Sequence, residues 1–201
     1  MRKLLIILSV CSLVLMTSCG SKAPAQKEVE KLPIEEFVEK FMKEHPNYLN
    51  NDITMEEGDK AFHEIFVDTT KNYLKGIPVK LTAINKNGNA YFAQFQSWTR
   101  PKNFDFNPPV YCVNCDILTV IPDSLVTTLK ENSFYTLEGC VIENMANLGV
   151  MEAMLGKSTY GVTTVFGIRK NSIYDDRFEI NLGLLYYHLD GIEEFVEEQS
   201  F

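Results

Sequence analysis

The sequence predicts an α+β fold, in which N-terminal helices are followed by an antiparallel β-barrel. Residues 33–76 carry apolar side chains at helical spacing, whereas residues 77–190 show alternating apolar and polar runs separated by turn signals. An Asn87-Gly88 pair marks a tight hairpin between two of these runs. We therefore expect one domain over residues 33–201, with helices over 33–76, the barrel over 77–190 and an acidic tail over 191–201.

Two amphipathic helices are predicted at the start of the domain. The first spans Pro33 to Glu44, with an apolar stripe formed by Ile34, Phe37, Val38, Phe41 and Met42. The second is expected to begin at Thr54, because Glu57 stands at capping-box spacing from it, and to run to Leu74 before Gly76.

The strands that should follow are separated by turns and short helices. Strands are predicted at Val79–Ala83, Ala90–Trp98, Ile117–Ile121, Phe134–Glu143, Val162–Arg169 and Phe178–Leu189. Asp123 is expected to cap a short helix around Leu125–Lys130, and Met145–Leu155 is expected to be helical. A final acidic helix or tail is indicated by Glu193, Glu194, Glu197 and Glu198.

The order of three strands, a short helix and further strands is that of an OB-fold barrel. The run Leu129-Lys130-Glu131 leads to a strand with Tyr135, Leu137, Gly139 and Val141. This passage resembles the helix-to-strand passage of OB-fold domains related to tRNA anticodon-binding modules, which also occur in bacterial envelope lipoproteins. The resemblance covers Ile77 to Leu189 and implies an OB-fold barrel with two insertions. The alternative is a cystatin-like fold, in which a long helix packs on a curved antiparallel sheet.

The N-terminal residues have the pattern of an export signal. Arg2 and Lys3 precede the apolar run Leu4–Leu15, which is shorter than the roughly 20 residues that span a bilayer. The segment Met16-Thr17-Ser18-Cys19-Gly20 resembles the lipobox of bacterial lipoproteins, although Met16 stands where the family most often has Leu. The resemblance implies a signal peptide over 1–18 and a lipidated N-terminal Cys19.

A lipidated Cys19 would hold the domain at a membrane of the cell envelope through a flexible tether over residues 19–32. No acidic residue directly follows Cys19, and we therefore expect the periplasmic side. Two alternatives are a soluble secreted protein cut after Ala23-Pro24-Ala25, and an uncleaved anchor.

The charge of the chain argues against nucleic-acid partners. The formal net charge is −8, and removal of a leader with Arg2, Lys3 and no acidic residue would make it −10. Nucleic-acid binding depends on Lys and Arg contacts to phosphate, so we expect no such function.

Three cysteines remain in the expected mature domain, namely Cys112, Cys115 and Cys140. The Cys112-x-x-Cys115 spacing allows a structural role, as thiols or a disulfide, a redox role, or part of a metal site. Asp116 adjoins the second sulfur and should raise the pKa of the Cys115 thiol, which disfavours a reactive thiolate. Structural zinc needs four ligands, so we predict neither a metal nor a cofactor.

An aromatic and basic loop is the main candidate for binding. It contains Trp98, Arg100, Phe104, Phe106 and Tyr111. Aromatic faces beside cations are typical of contact sites, and a protein, a small ligand or a glycan would be a suitable partner.

No catalytic motif is complete. Gly156-Lys157-Ser158 lacks the earlier glycine of a P-loop, and His63-Glu64 lacks the closing histidine of a zinc-protease motif because Val67 stands there. We therefore predict a non-catalytic envelope lipoprotein that binds a protein or small ligand. The alternatives are a thiol-disulfide oxidoreductase that uses Cys112 and Cys115, and a purely structural lipoprotein.

Overall fold

Two helices precede a six-stranded sheet, so the predicted α+β class is confirmed. The computed structural model describes residues 31–97, 110–145, 166–170 and 178–196. The helices are α1 (Pro33–Glu44), α2 (Asp52–Phe66) and the short α3 (Asp123–Val126). The strands are β1 (Val79–Asn87), β2 (Ala90–Ser97), β3 (Val110–Ile121), β4 (Phe134–Asn144), β5 (Phe166–Lys170) and β6 (Phe178–Glu194). Within the described ranges, none of the helices has the length and apolar character needed to cross a bilayer.

Helix α1 has the predicted bounds, whereas α2 begins and ends earlier than expected. The cap of α2 is Asn51, whose side-chain oxygen accepts hydrogen bonds from the amides of Ile53 and Thr54 at 3.0 Å each. Thr54 is the third helical residue, and its hydroxyl accepts a hydrogen bond from the Asn51 amide at 3.1 Å. An Asn cap that satisfies two amides outcompetes a start at Thr54. The helix ends at Phe66, so Tyr73 and Leu74 lie beyond it.

The predicted hairpin is confirmed, with a shift of its turn by one residue. Asn87 pairs with Ala90, which leaves Gly88 and Asn89 as the two-residue loop. Gly88 has a φ of +60°, as the first position of a type II′ turn requires. Strand β2 alternates between its two faces, and Ala93 and Phe95 lie fully buried on the face towards the core.

The bounds of two predicted strands and of one predicted short helix differ from the structure. Strand β3 extends back to Val110, because it pairs with β2 along one edge and with β6 along the other. Strand β6 extends to Glu194, which pairs with Tyr135, so Glu193 and Glu194 are not a helix or free tail. The short helix α3 covers Asp123–Val126 with Pro122 as its cap, instead of running from Leu125 to Lys130 after an Asp123 cap.

The remaining predicted elements fall partly outside the described ranges. Residues 146–155 of the predicted Met-rich helix and 162–165 of the predicted fifth strand lie outside them. Met145 is described, and its amide donates to the carbonyl of Leu184 at 2.7 Å.

The sheet has the strand order β3-β2-β1-β4-β6-β5, and neighbours in this order are antiparallel. An additional parallel pairing joins β3 to β6, from Val110 opposite Phe178 to Leu118 opposite Tyr186. Strand β6 therefore contacts three strands, namely β3, β4 and β5.

The core lies between the two helices and the inner face of the sheet. Phe62 and Phe66 on α2 are fully buried, and both rings contact Phe166 of β5, at centroid distances of 5.2 and 6.2 Å. The same cluster includes Leu81 of β1 and Ile180 of β6. Apolar burial thus fixes both helices against the sheet.

Candidate functional site

A groove of about 510 Å³ lies between α1, the end of α2 and the segment 67–76, and we call it the α1 groove. Its position follows from the early end of α2, because the chain then turns back past α1 instead of continuing as helix. It is lined by Pro33, Glu36, Phe37, Lys40, Phe41, Glu44, Ile65, Lys71, Asn72, Tyr73 and Lys75.

The floor of the groove is aromatic. Phe37 and Phe41 stand one turn apart on α1, and the Phe37 ring lies 4.6 Å from that of Tyr73 between centroids. Phe62 contacts both α1 rings, with centroid distances of 5.0 and 5.2 Å. These rings are fixed by the core, so the groove presents rigid ring edges, and the exposed Ile65 extends the apolar surface at the margin.

The segment 67–76 is fixed by hydrogen bonds at both ends of its turn. The Asp68 carboxylate accepts from the amide of Thr70 at 2.9 Å and from its hydroxyl at 2.6 Å. Asn72 donates to the carbonyl of Leu137 at 3.2 Å and accepts from the hydroxyl of Tyr187 at 3.0 Å. Because both its amide nitrogen and its amide oxygen are hydrogen-bonded, the Asn72 side chain holds segment 67–76 against β4 and β6.

The rim of the groove carries more positive than negative charge. Three lysines face two glutamates there, which leaves one net positive charge on a chain of net charge −8. Lys40 lies 3.9 Å from Glu44, and Lys71 lies 3.2 Å from Asp68 with its ammonium 5.8 Å from the centre of the Tyr73 ring. The Asp68 carboxylate helps to raise the pKa of Lys71. The groove therefore combines an apolar floor with ammonium groups at its edge.

A polar cluster joins the helices to β5, and we call Tyr48, Asp59 and Arg169 the clamp. Arg169 binds the Asp59 carboxylate with both terminal nitrogens, at 3.0 and 2.8 Å. The Tyr48 hydroxyl donates to Asp59 and accepts from the amide of Ile168 at 2.8 Å. Burial, with the Asp59 carboxylate as second cause, raises the pKa of Tyr48. The clamp is internally satisfied, which indicates a structural role.

Two glycines allow the clamp to form. A side chain at Gly58 would lie 2.1 Å from the Tyr48 ring, and one at Gly167 would lie 2.0 Å from the Asp59 carboxylate. Gly167 also has a φ of +126°, a region that other residues rarely adopt. Neither clamp nor glycines were predicted, because Asp59 and Arg169 carry no local signal of a partner 110 positions away.

The three cysteines within the described ranges are free thiols, two on β3 and one on β4. Cys112 and Cys115 lie within β3 and are buried, instead of standing before a strand. Burial is the main cause that raises the pKa of both thiols, to about 12 for Cys112, with further contributions from Glu179 and Asp116 respectively. Such thiols stay protonated at neutral pH, which counts against the oxidoreductase alternative.

Cys140 lies on β4 directly opposite His188 of β6, and His188 Nε2 is 3.2 Å from Asp190. The thiol is partly exposed, and burial followed by the charge of Asp190 raises its pKa. A raised pKa again disfavours a nucleophilic thiolate. Within the described part of the chain, no three His, Cys, Asp or Glu side chains are arranged to hold a metal ion.

Most residues of the predicted aromatic loop lie outside the described residues, as does Cys19. These loop residues are Trp98, Arg100, Phe104 and Phe106, while Tyr111 belongs to β3. The sequence did contain a signal for the α1 groove, since Lys71, Tyr73 and Lys75 alternate after α2 and Lys40 stands between two phenylalanines of α1. This residue pattern indicates a groove only in combination with the tertiary structure, in which segment 67–76 lies beside α1.

Comparison of the chain with protein-family models, with curated proteins and with solved structures gave no match.

Proposed function

We propose that this protein is a non-catalytic lipoprotein of the bacterial cell envelope that binds a small ligand in the α1 groove. The observation that carries this proposal is the groove itself, whose aromatic floor is rigid and whose rim is charged. Concave sites of a few hundred Å³ with apolar walls and a few polar groups are typical of small-molecule binding.

The finer fold in this proposal is an OB-fold barrel. The pairings β1–β2, β2–β3, β3–β6, β6–β4 and β4–β1 support it, because they form a ring with one parallel pair and with α3 between β3 and β4. A parallel pair favours the barrel over the cystatin-like alternative, which is an antiparallel sheet. In this proposal β5 is an addition that pairs with β6 outside the ring.

The membrane anchor in this proposal is lipid on Cys19, supported by the lipobox-like residues and by the short apolar run before them. The domain would face the periplasm on its tether. Nucleic acid is not among the proposed partners, since the chain is acidic.

The test of ligand binding is photolabelling of the full chain in lipid nanodiscs. A medium-chain aliphatic diazirine probe is titrated, and labelled peptides are identified by mass spectrometry. We expect saturable labelling of peptides from α1 and from segment 67–76. Ile65→Glu, at the groove margin, should reduce it several-fold, whereas Ile53→Glu, on the same helix but outside the groove, should not. Labelling that spares both segments, or that ignores Ile65→Glu, would contradict the proposal.

A protein or glycan partner at the loop from Trp98 to Tyr111 stays part of the proposal as a second contact surface. Crosslinking on intact envelopes should recover a specific partner, and the yield should fall when Trp98 and Phe104 are changed to Ala. An unchanged partner profile would leave the α1 groove as the binding site of the proposal, without the loop.

A further inference from the structure

We propose that the ligand of the α1 groove is an amphipathic carboxylate, whose apolar body lies on the aromatic floor and whose carboxylate pairs with Lys75. This inference depends on the proposed binding function of the groove and names the chemical class of its ligand.

The cations on the rim are not equivalent. Lys40 lies 3.9 Å from Glu44, and Lys71 lies 3.2 Å from Asp68. In the part of the chain that the structure describes, Lys75 is the lining lysine without an ion-pair partner. An ammonium at the edge of an apolar groove gains most from an anionic ligand group, because it has no competing carboxylate to give up.

The positions of the acidic lining residues also favour a ligand carboxylate near Lys75. Glu44 is paired with Lys40, and Glu36 belongs to α1 on the opposite wall. Segment 67–76 contributes Lys71 and Lys75 to the lining, whereas its acidic residue, Asp68, lies outside the lining and is paired with Lys71. The anionic head should therefore lie on the side of this segment, with the apolar body extending over Phe37 and Tyr73 towards Ile65.

A ligand with only an apolar body, or with only a negative charge, would contact either the floor or the rim of the groove but not both. An apolar molecule without charge would cover the floor but would leave the Lys75 ammonium unpaired and partly desolvated, which costs free energy. A small inorganic anion would meet an exposed ammonium in water, an interaction worth little by itself. The combination of floor and rim favours one molecule that carries both features.

The rigid wall supports binding of a defined head group. Asn72 holds segment 67–76 through the carbonyl of Leu137 and the hydroxyl of Tyr187. Lys75 follows Asn72 by three residues, and its amide donates to the Asn72 carbonyl at 3.3 Å, so the turn that carries Lys75 is fixed. Because the backbone is fixed, binding needs to order only the side chain of Lys75 and not the turn that carries it.

The experiment compares two photoreactive probes on the full chain in lipid nanodiscs, a medium-chain diazirine fatty acid and the matching diazirine alcohol. We expect the carboxylate to label segment 67–76 and α1 at roughly threefold lower concentration than the alcohol, since an ion pair with an exposed lysine contributes on this scale. Lys75→Met should bring the two probes close together, and Lys75→Arg should keep most of the difference. Lys43→Met, on α1 but outside the groove, is the matched control.

The outcomes separate this inference from the proposed function. Equal labelling by acid and alcohol in the unaltered protein overturns the carboxylate ligand, and a preference for the acid that survives Lys75→Met overturns its pairing with Lys75. Both outcomes leave binding in the groove intact. Labelling of the groove by neither probe overturns both. The acid-to-alcohol ratio in the unaltered chain decides the question even if a Lys75 variant folds poorly.

Discussion

Arg169 donates two hydrogen bonds to the carboxylate of Asp59, at 3.0 and 2.8 Å, although 110 positions separate the two residues. The pair joins β5 to α2, and the Tyr48 hydroxyl completes it from the α1–α2 connection. The side chains of Arg169 and Asp59 are 34% and 23% exposed, so water screens the pair in part. It should nevertheless contribute more than a surface ion pair, because its geometry is bidentate.

Loss of this pair should destabilise the fold. We expect Arg169→Met to lower the free energy of unfolding by about 1–3 kcal/mol, because Asp59 and Tyr48 lose a shared partner. Urea unfolding followed by circular dichroism measures it. Lys60→Met, which removes the exposed Lys60–Glu56 pair, should cost less than about 0.5 kcal/mol. Equal effects of the two changes would contradict a structural clamp.

Gly58→Ala should reverse the usual sign of a glycine-to-alanine change in a helix. In an open helix interior this change stabilises by about 1 kcal/mol. Here the new methyl group would lie 2.1 Å from the Tyr48 ring, which must move and release its hydrogen bonds. We expect a net loss of about 1–3 kcal/mol. In a Tyr48→Ala background the same change should become stabilising, and a double-mutant cycle of urea unfolding measures this coupling.

Alkylation should follow the exposure of the three thiols. With iodoacetamide at pH 7, Cys140 should react first, because it is partly exposed, while Cys112 and Cys115 are buried and burial raises their pKa. Peptide mass spectrometry over time gives the order. Rapid modification of Cys112 or Cys115 in the folded protein would contradict this order and would support the oxidoreductase alternative.

The buried thiols should also make the fold less stable in alkali. The pKa of Cys112 is raised from 9.0 to about 12, so the unfolded chain loses this proton at lower pH than the folded one. The contribution of the protonated Cys112 thiol to the free energy of unfolding is thus complete below pH 9, and it is lost as the pH rises towards about 12. Each such group lowers the free energy of unfolding by up to about 1.4 kcal/mol per pH unit in this window. Cys112→Ala should reduce the slope between pH 9 and 11, measured by urea unfolding; an unchanged slope would count against the buried thiol.

Cys19 should be the site of membrane attachment. Changing Cys19 to Ser should abolish metabolic labelling of the protein with a fatty acid. It should also lower the amount of the protein in the membrane fraction. Cys11→Ser, within the expected signal peptide, is the matched control and should change neither. Retained labelling of the Cys19 variant would contradict the lipobox interpretation.

Local patterns in the sequence were sufficient for several elements. Helix α1 and the β1–β2 hairpin were predicted because a periodic apolar stripe and an Asn-Gly pair act over a few residues. The N-cap of α2 was misplaced, since Asn51 and Thr54 both can cap and the difference lies in which amides each can reach.

The sequence by itself determined the α+β class, the α1 helix and the hairpin. Tertiary structure decided the length of β3 and β6, because each gains residues by pairing with partners far away in the chain. It also decided the clamp and the α1 groove. The clamp requires Asp59 to meet Arg169, and the groove requires segment 67–76 to lie beside α1. Both arrangements arise when apolar burial packs the helices against the sheet, and local periodicity in the sequence does not indicate them.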